Sequence, residues 1–327
     1  MNKTVLSFTG IVVLLIITIL FSIMTGSIKV GVLELVQGLF TGTDKNVEVI
    51  KDLRLPRIVV ALFVGASLAV SGVLLQAVMR SSLADAGVIG ISSGAGFISV
   101  LFVTIFPTFF FWLPLFAFVG GALACFLVYS LSWKSGLSPI RIILVGIAVN
   151  ATFTGLGQSF NYRGSYAVTT VNQATTSIFT MKTWSDVQSL AVYGSIGLLL
   201  SLLLCSWCNL LSLQDKSAKN LGLNVSRVRL LISAVAVLLA AVSTAIGGLI
   251  AFVGLLVPHI ARLLVGSDHK VLIPFSALAG ALLILTADTL GRTMIAPAEI
   301  PASIIMTVIG GPFLIFLLRK SDRVYGN

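Results

Sequence analysis

Charge is what this sequence has least of. Only 10% of its 327 residues are Asp, Glu, Lys or Arg, and 57% are hydrophobic. A soluble domain carries about 25% charged residues, so most of this surface faces lipid and the soluble classes are excluded. Alternating apolar–polar segments of about ten residues are also missing. The apolar stretches instead run for about 20 residues, which excludes a membrane β-barrel and leaves helices. Cysteine is scarce: Cys125, Cys205 and Cys208 lie in or beside apolar runs. Cys205 and Cys208 form a C-x-x-C without a redox fold around it, so neither a disulfide framework nor a zinc site is implied. Only two histidines occur, His259 and His269, and no H-E-x-x-H. No G-x-x-x-x-G-K-[ST] phosphate loop occurs either, so the chain cannot itself be an ATPase.

What is present is a series of ten apolar runs: 5–24, 56–78, 88–106, 112–132, 140–159, 188–208, 228–249, 251–267, 271–291 and 301–319. The first follows a single Lys3 without a small-residue cleavage site, and is expected to stay as a helix. The eighth is short and is expected to break at Pro258. With the N-terminus inside, the inner loops hold 13 basic residues against 8 outside, and 4 of the 11 acids. That gives +9 inside and +1 outside, which places both termini in the cytoplasm. The net charge of +10 is therefore a topology signal, with no nucleic-acid partner implied.

The expected fold is an all-α polytopic membrane protein of about ten transmembrane helices. Leu53–Ala84 loosely echoes Arg229–Ala261, and helices two to five match seven to ten in length. With the second block starting on the opposite side, this predicts an inverted internal repeat around a two-sided pore. Two loops exceed a simple turn. The outer one, Gly26–Lys51, has apolar residues at helical spacing over Val32–Phe40, suited to the membrane surface. The inner one, Asn209–Arg229, is polar.

Several motifs recur in order. DLRLPR opens the second run, and Ser71, Gly72 and Gln76 lie within it. RSSLADAG follows at 80–87, GISSGAG at 90–96, SAKNLG at 217–222, FVGLLVPHIAR at 252–262 and GGPFLIFLLR at 310–319. Together they resemble the FecCD family of permeases, the membrane subunits of ATP-binding-cassette importers for vitamin B12, ferric siderophores and haem. The resemblance covers nearly the whole chain. It implies one permease domain over 1–327, with helices one to five about 5–159, helices six to ten about 188–319 and an ATPase-coupling loop about 209–229. It also implies a multi-pass protein of the bacterial plasma membrane that performs no chemistry. A second permease copy, or a related permease, completes the pathway. Two ATPase subunits lie beneath, and an extracellular or periplasmic binding protein sits above. ATP and Mg belong to the ATPase; this chain binds no cofactor and no metal.

Carried over residue by residue, the resemblance implies four sets of positions. Arg54, Arg57 and Arg292 match residues that pair with glutamates on the two lobes of the binding protein, and Arg is the side chain with a forked, permanent charge for that purpose. Gln214, Asp215, Ala218, Lys219, Leu221 and Gly222 match the loop that seats on the ATPase. Ser81, Leu83, Pro139 and Ile140 match the cytoplasmic gate. The family usually has Asn-Pro-Leu-Ala where this chain has Ser81–Ala84, and Pro139 and Ile140 replace small polar residues of the B12 permease, making this gate more apolar. The pore is expected along helices five and ten, with Asn150, Gln158 and Asn161 as lining candidates, although polar residues also serve as interhelical glue. Cargo reads as an iron complex, ferric siderophore or haem, with vitamin B12 as the alternative. An ion-coupled secondary transporter is the competing class. It would place an acid at mid-membrane, whereas Asp288 lies near the outer end of its run.

Overall fold

The structure is a computed structural model and describes residues 3–25, 50–106, 112–132, 139–161, 179–180, 182–213, 215–220, 222, 224–295 and 298–325. Each of the ten apolar runs falls on a helix: α1 (Lys3–Met24), α2 (Leu55–Met79), α3 (Ile91–Ile105), α4 (Leu113–Ser132), α5 (Pro139–Asn161), α6 (Trp184–Leu203), α9 (Val225–Gly247), α10 (Val253–Val265), α11 (His269–Thr293) and α12 (Ala302–Tyr325). Two short helices, α7 (Cys205–Leu211) and α8 (Asp215–Asn220), fill the inner segment. No strand occurs among the described residues. Six helices are long and apolar enough to cross a membrane, and α3, α5, α10 and α12 carry shorter apolar stretches. The surface segment expected over 26–51 lies almost wholly outside the described residues.

Helix α2 is apolar on every side and becomes the axis of the bundle. From Val64 to Gln76 it is buried without interruption, as a helix lacking a polar face must be. Lipid offers apolar helices no hydrophobic reason to associate, so close packing has to hold them. Two glycines permit it. A Cβ on Gly65 would overlap the carbonyl oxygen of Gly280 on α11, and one on Gly72 would overlap that of Gly254 on α10. Ser71 adds a hydrogen bond from its hydroxyl to the Ala236 carbonyl of α9, 2.7 Å away.

The packing pattern has a two-fold regularity. Helix α2 lies on α10 and α11, while α9 lies on α3 and α4; α3 meets α4 and α5 as α10 meets α11 and α12. Exchanging α2–α5 with α9–α12 leaves these pairings unchanged, as an internal repeat requires. Since α2 and α9 are the second and seventh runs, an alternating bundle sets the two blocks in opposite senses.

Two run boundaries differ from expectation. The sixth run starts earlier, at Trp184, because Thr183 and Asp186 form a capping box in which the Asp186 carboxylate accepts from the Thr183 N–H at 2.8 Å. It also divides at Leu204 into α6 and α7. The eighth run does not break: α10 continues through Pro258. Proline cannot donate to the carbonyl four residues back, which is Gly254. Gln76 of α2 supplies that donor, its Nε2 lying 3.0 Å from the Gly254 oxygen.

Candidate functional site

Two constellations stand at opposite ends of α2, called outer and inner after the orientation expected from the charge distribution. At the outer end, Pro56 occupies the first turn of α2, where a missing N–H is harmless. One residue on, Arg57 grips Asp288 of α11 in a bidentate pair, with Nη2 at 2.8 Å and Nε at 2.9 Å. Its Nη1 also donates to Glu299 at 3.0 Å, and Glu299 accepts a second bond from Thr180 at 2.6 Å. Burial opposes the charge on Glu299, but the Thr180 hydrogen bond and the Arg57 charge outweigh it and hold this carboxyl below its ordinary value. Arg54 donates to the Ile23 carbonyl at 2.8 Å. Arg292 donates to the Ser22 hydroxyl and carbonyl and, at 3.0 Å, to the Thr25 carbonyl. The three arginines named from sequence therefore converge on one outer cluster around the ends of α1, α2 and α11. Each is anchored to its own chain. Arg57 is the most enclosed, with its side chain 12% exposed.

At the inner end, Arg80 ends α2 in the left-handed region, φ 50°. Its guanidinium donates to the Leu211 carbonyl at 2.9 Å and to the Leu213 carbonyl. Leu211 is the last residue of α7, whose final carbonyls lack helical partners, and Leu213 lies two residues beyond, so Arg80 caps α7 from another helix. The same segment is held from the other side. Asn209 donates to Asp268 at 2.7 Å, and its own oxygen accepts from the His269 N–H at 2.9 Å. The Asn209 bond, with the Lys270 N–H behind it, lowers the pKa of Asp268. Helix α8 follows with Ala218 fully buried, and Gly222 turns the chain with φ +82°, a conformation open to glycine at little steric cost. Asp215 and Lys219 lie on α8, whereas Gln214 and Leu221 fall outside the described residues.

The loop between α2 and α3 carries a wholly buried acid. Asp85 accepts from the backbone N–H groups of Gly87, Ala86 and Val88, and from that of Phe252, the residue that precedes α10. Phe252 is itself left-handed, φ +69°, and its ring fills the space beside Gly310 on α12. Burial pushes the Asp85 carboxyl up to about 6, against those four donors. Gate candidate Ser81 accepts a 3.4 Å bond from the Leu83 N–H, and both residues are half-buried. Pro139 and Ile140 open α5. Asn150 is half-buried on α5 next to Gly90, Gln158 is exposed and Asn161 ends the helix.

The described residues contain no cluster of three or more His, Cys, Asp or Glu able to hold a metal, and all three cysteines are buried free thiols. His259 meets Phe313 edge-on, with ring centroids 5.7 Å apart. What this arrangement does is mechanical: it links a charged rim, an axial helix and a polar inner segment held by Arg80 and Asn209.

The family model described as the FecCD transport family matches residues 14–320. The chain belongs to the FecCD transport family. It is 43% identical over 322 residues to the "Probable heme-iron transport system permease protein IsdF" of Staphylococcus aureus strains MSSA476 and USA300, covering 98% of each chain. Among solved structures it superposes on a metal-chelate type ABC transporter in an inward-facing conformation, with TM-score 0.81, 32% identity and 95% and 98% of the two chains covered. PsaBC from Streptococcus pneumoniae, solved with a Fab, shares the fold at TM-score 0.62 and 18% identity, over 88% and 95%. This FecCD chain has an ABC permease fold and is a multi-pass transport permease of the bacterial plasma membrane. Such a subunit works with an ATPase and a substrate-binding protein.

Sequence reasoning left three residues of this FecCD chain without a role: Gln76, Arg80 and Asp85. The signal for Gln76 was a lone amide in an apolar run whose partner helix carries a proline. The other two stood out only as charges beside helix ends.

Proposed function

We propose that this chain is the membrane subunit of an importer that carries haem, or a closely related iron complex, into the cytoplasm, driven by a separate ATPase. The observation that carries this is the 43% identity over 98% of both chains to a protein described as a heme-iron transport permease. Two copies form one pathway, with an ATPase beneath each and one binding protein above. Arg54, Arg57 and Arg292 form the rim on which that protein lands. Helix α8 with Gln214, Asp215, Ala218, Lys219, Leu221 and Gly222 seats in the ATPase. Ser81, Leu83, Pro139 and Ile140 close the inner mouth, and Asn150, Gln158 and Asn161 face the pathway. The chain binds no cofactor; ATP and Mg stay on the ATPase. Both termini are cytoplasmic.

The competing ion-coupled reading needs an acid free to take and release a cation. Asp288 is engaged by both arms of Arg57, which supports the importer instead.

The test is to reconstitute the chain with its ATPase in proteoliposomes and add binding protein loaded with haem or with a ferric siderophore. Haem uptake that requires ATP is the expected result. Uptake that follows an ion gradient without ATP would overturn the importer, and uptake of siderophore alone would overturn the cargo.

A further inference from the structure

A cavity of about 430 Å³ lies between α4 and α9, and no residue of the outer rim or of α8 lines it. Its lining is sorted by polarity along the helix axes. At the inner end stand Arg229, Ser226, Ser130 and Tyr129, the last bonded to Ser233 at 3.3 Å. Beyond them the walls are Cys125, Ala122, Phe118 and Val237, without charge. From Ser130 back to Phe118, α4 rises about 18 Å, close to the ~15 Å of one leaflet's hydrocarbon. The groove is thus one leaflet deep, with its polar groups gathered at the membrane surface.

The polar end is positive in more than one way. Arg229 lies in the first turns of α9, which has no acid in its first turn. The helix N-terminus adds its own partial positive charge there. The flanking side chains Phe126 and Leu230 are 67% and 72% exposed, an apolar frame suited to acyl chains rather than water. An apolar slot of leaflet depth with a cationic mouth is complementary to an amphiphile bearing a negative headgroup.

We infer that the α4–α9 groove binds an anionic phospholipid of the inner leaflet, its phosphate at Arg229 and Ser226 and one acyl chain running past Cys125 to Phe118.

The experiment uses the full-length chain purified in neutral detergent and incubated with equimolar dioleoyl-phosphatidylglycerol and dioleoyl-phosphatidylcholine. Retained lipid is then counted by native mass spectrometry. At least a tenfold preference for phosphatidylglycerol is expected. Arg229→Gln should reduce it to below threefold, and Ser226→Glu, at an exposed position, should do the same without touching the packing. Ala122→Trp should abolish retention of both lipids. Equal retention of the two lipids by the native chain, or a preference unchanged in both Arg229→Gln and Ser226→Glu, would overturn the site. So would a dimer contact through the groove, detected as cross-linking between two copies carrying Leu230→Cys.

Discussion

Arg57 holds Asp288 with two parallel hydrogen bonds, 231 residues apart in sequence, and so locks the outer ends of α2 and α11 together. The side chains are 12% and 3% exposed. Removing Asp288 leaves Arg57 with only the more exposed Glu299 as counter-charge, at a cost of up to about 3 kcal/mol. Asp288→Asn is therefore expected to lower the thermal unfolding temperature in nanodiscs markedly. A variant as stable as the native chain would show that the pair is solvated.

Docking should be tested elsewhere in the rim. Arg54 donates to the Ile23 carbonyl and is only partly enclosed. Arg54→Glu is expected to cut binding-protein-stimulated ATPase activity at least tenfold at low salt, with unstimulated activity and melting temperature close to native. Unchanged stimulation would remove Arg54 from the landing surface.

The Gln76 clasp predicts a specific rescue. Gln76→Leu strands both the Gly254 carbonyl and the Arg262 guanidinium, which donates to Gln76 Oε1 at 2.6 Å. An unsatisfied buried group costs about 1–3 kcal/mol. Adding Pro258→Ala returns a helical donor to Gly254, so the double variant should recover part of the loss in a double-mutant cycle. Strict additivity would show that the proline and the glutamine are independent.

Asp85 predicts a pH dependence. Its carboxyl is raised from 3.8 to about 6 by burial. A raised acid binds its proton more readily in the folded state than in the unfolded one. Its stabilising contribution is therefore complete below pH ~4 and is lost as pH rises through about 6. Glu299 and Asp268 are shifted downward and stay ionised across that window. The melting temperature of the native chain relative to Asp85→Ala should fall between pH 4.5 and 7; a constant difference would contradict the assignment.

Gly222 has open space around it but a left-handed backbone. Gly222→Ala meets only the backbone penalty of about 1–2 kcal/mol, which Asn partly escapes. Transport coupled to ATP hydrolysis should drop in Gly222→Ala and return in Gly222→Asn. Full coupling in the alanine variant would exclude the turn from the coupling segment.

The helices were legible because runs of about 20 apolar residues admit one solution in lipid. Their ends were less so. Trp184 starts α6 through a capping box that hydropathy does not register, and Pro258 looked like a break because its compensating donor sits on another helix, 182 positions away in sequence. The site divides in the same way. Arg54, Arg57 and Arg292 were singled out through the DLRLPR motif and the family resemblance, and the structure brings them together. Nothing local could reveal that Arg57 would face Asp288, or that Asp85 would close over the start of α10. Such pairings arise from the packing of the second block on the first.

The glycine contacts along α2 have a kinematic consequence. Where backbones touch, as at Gly65 with Gly280 and Gly72 with Gly254, helices cannot slide or change tilt without first separating. Helices α2, α10 and α11 therefore travel as a single rigid piece. Outside that piece the packing is looser only in places: among the described residues Gly155 and Gly157 of α5 and Gly311 of α12 meet no neighbouring atom within 4 Å, whereas Gly146 and Gly310 on the same helices pack on Ile89 and Phe252.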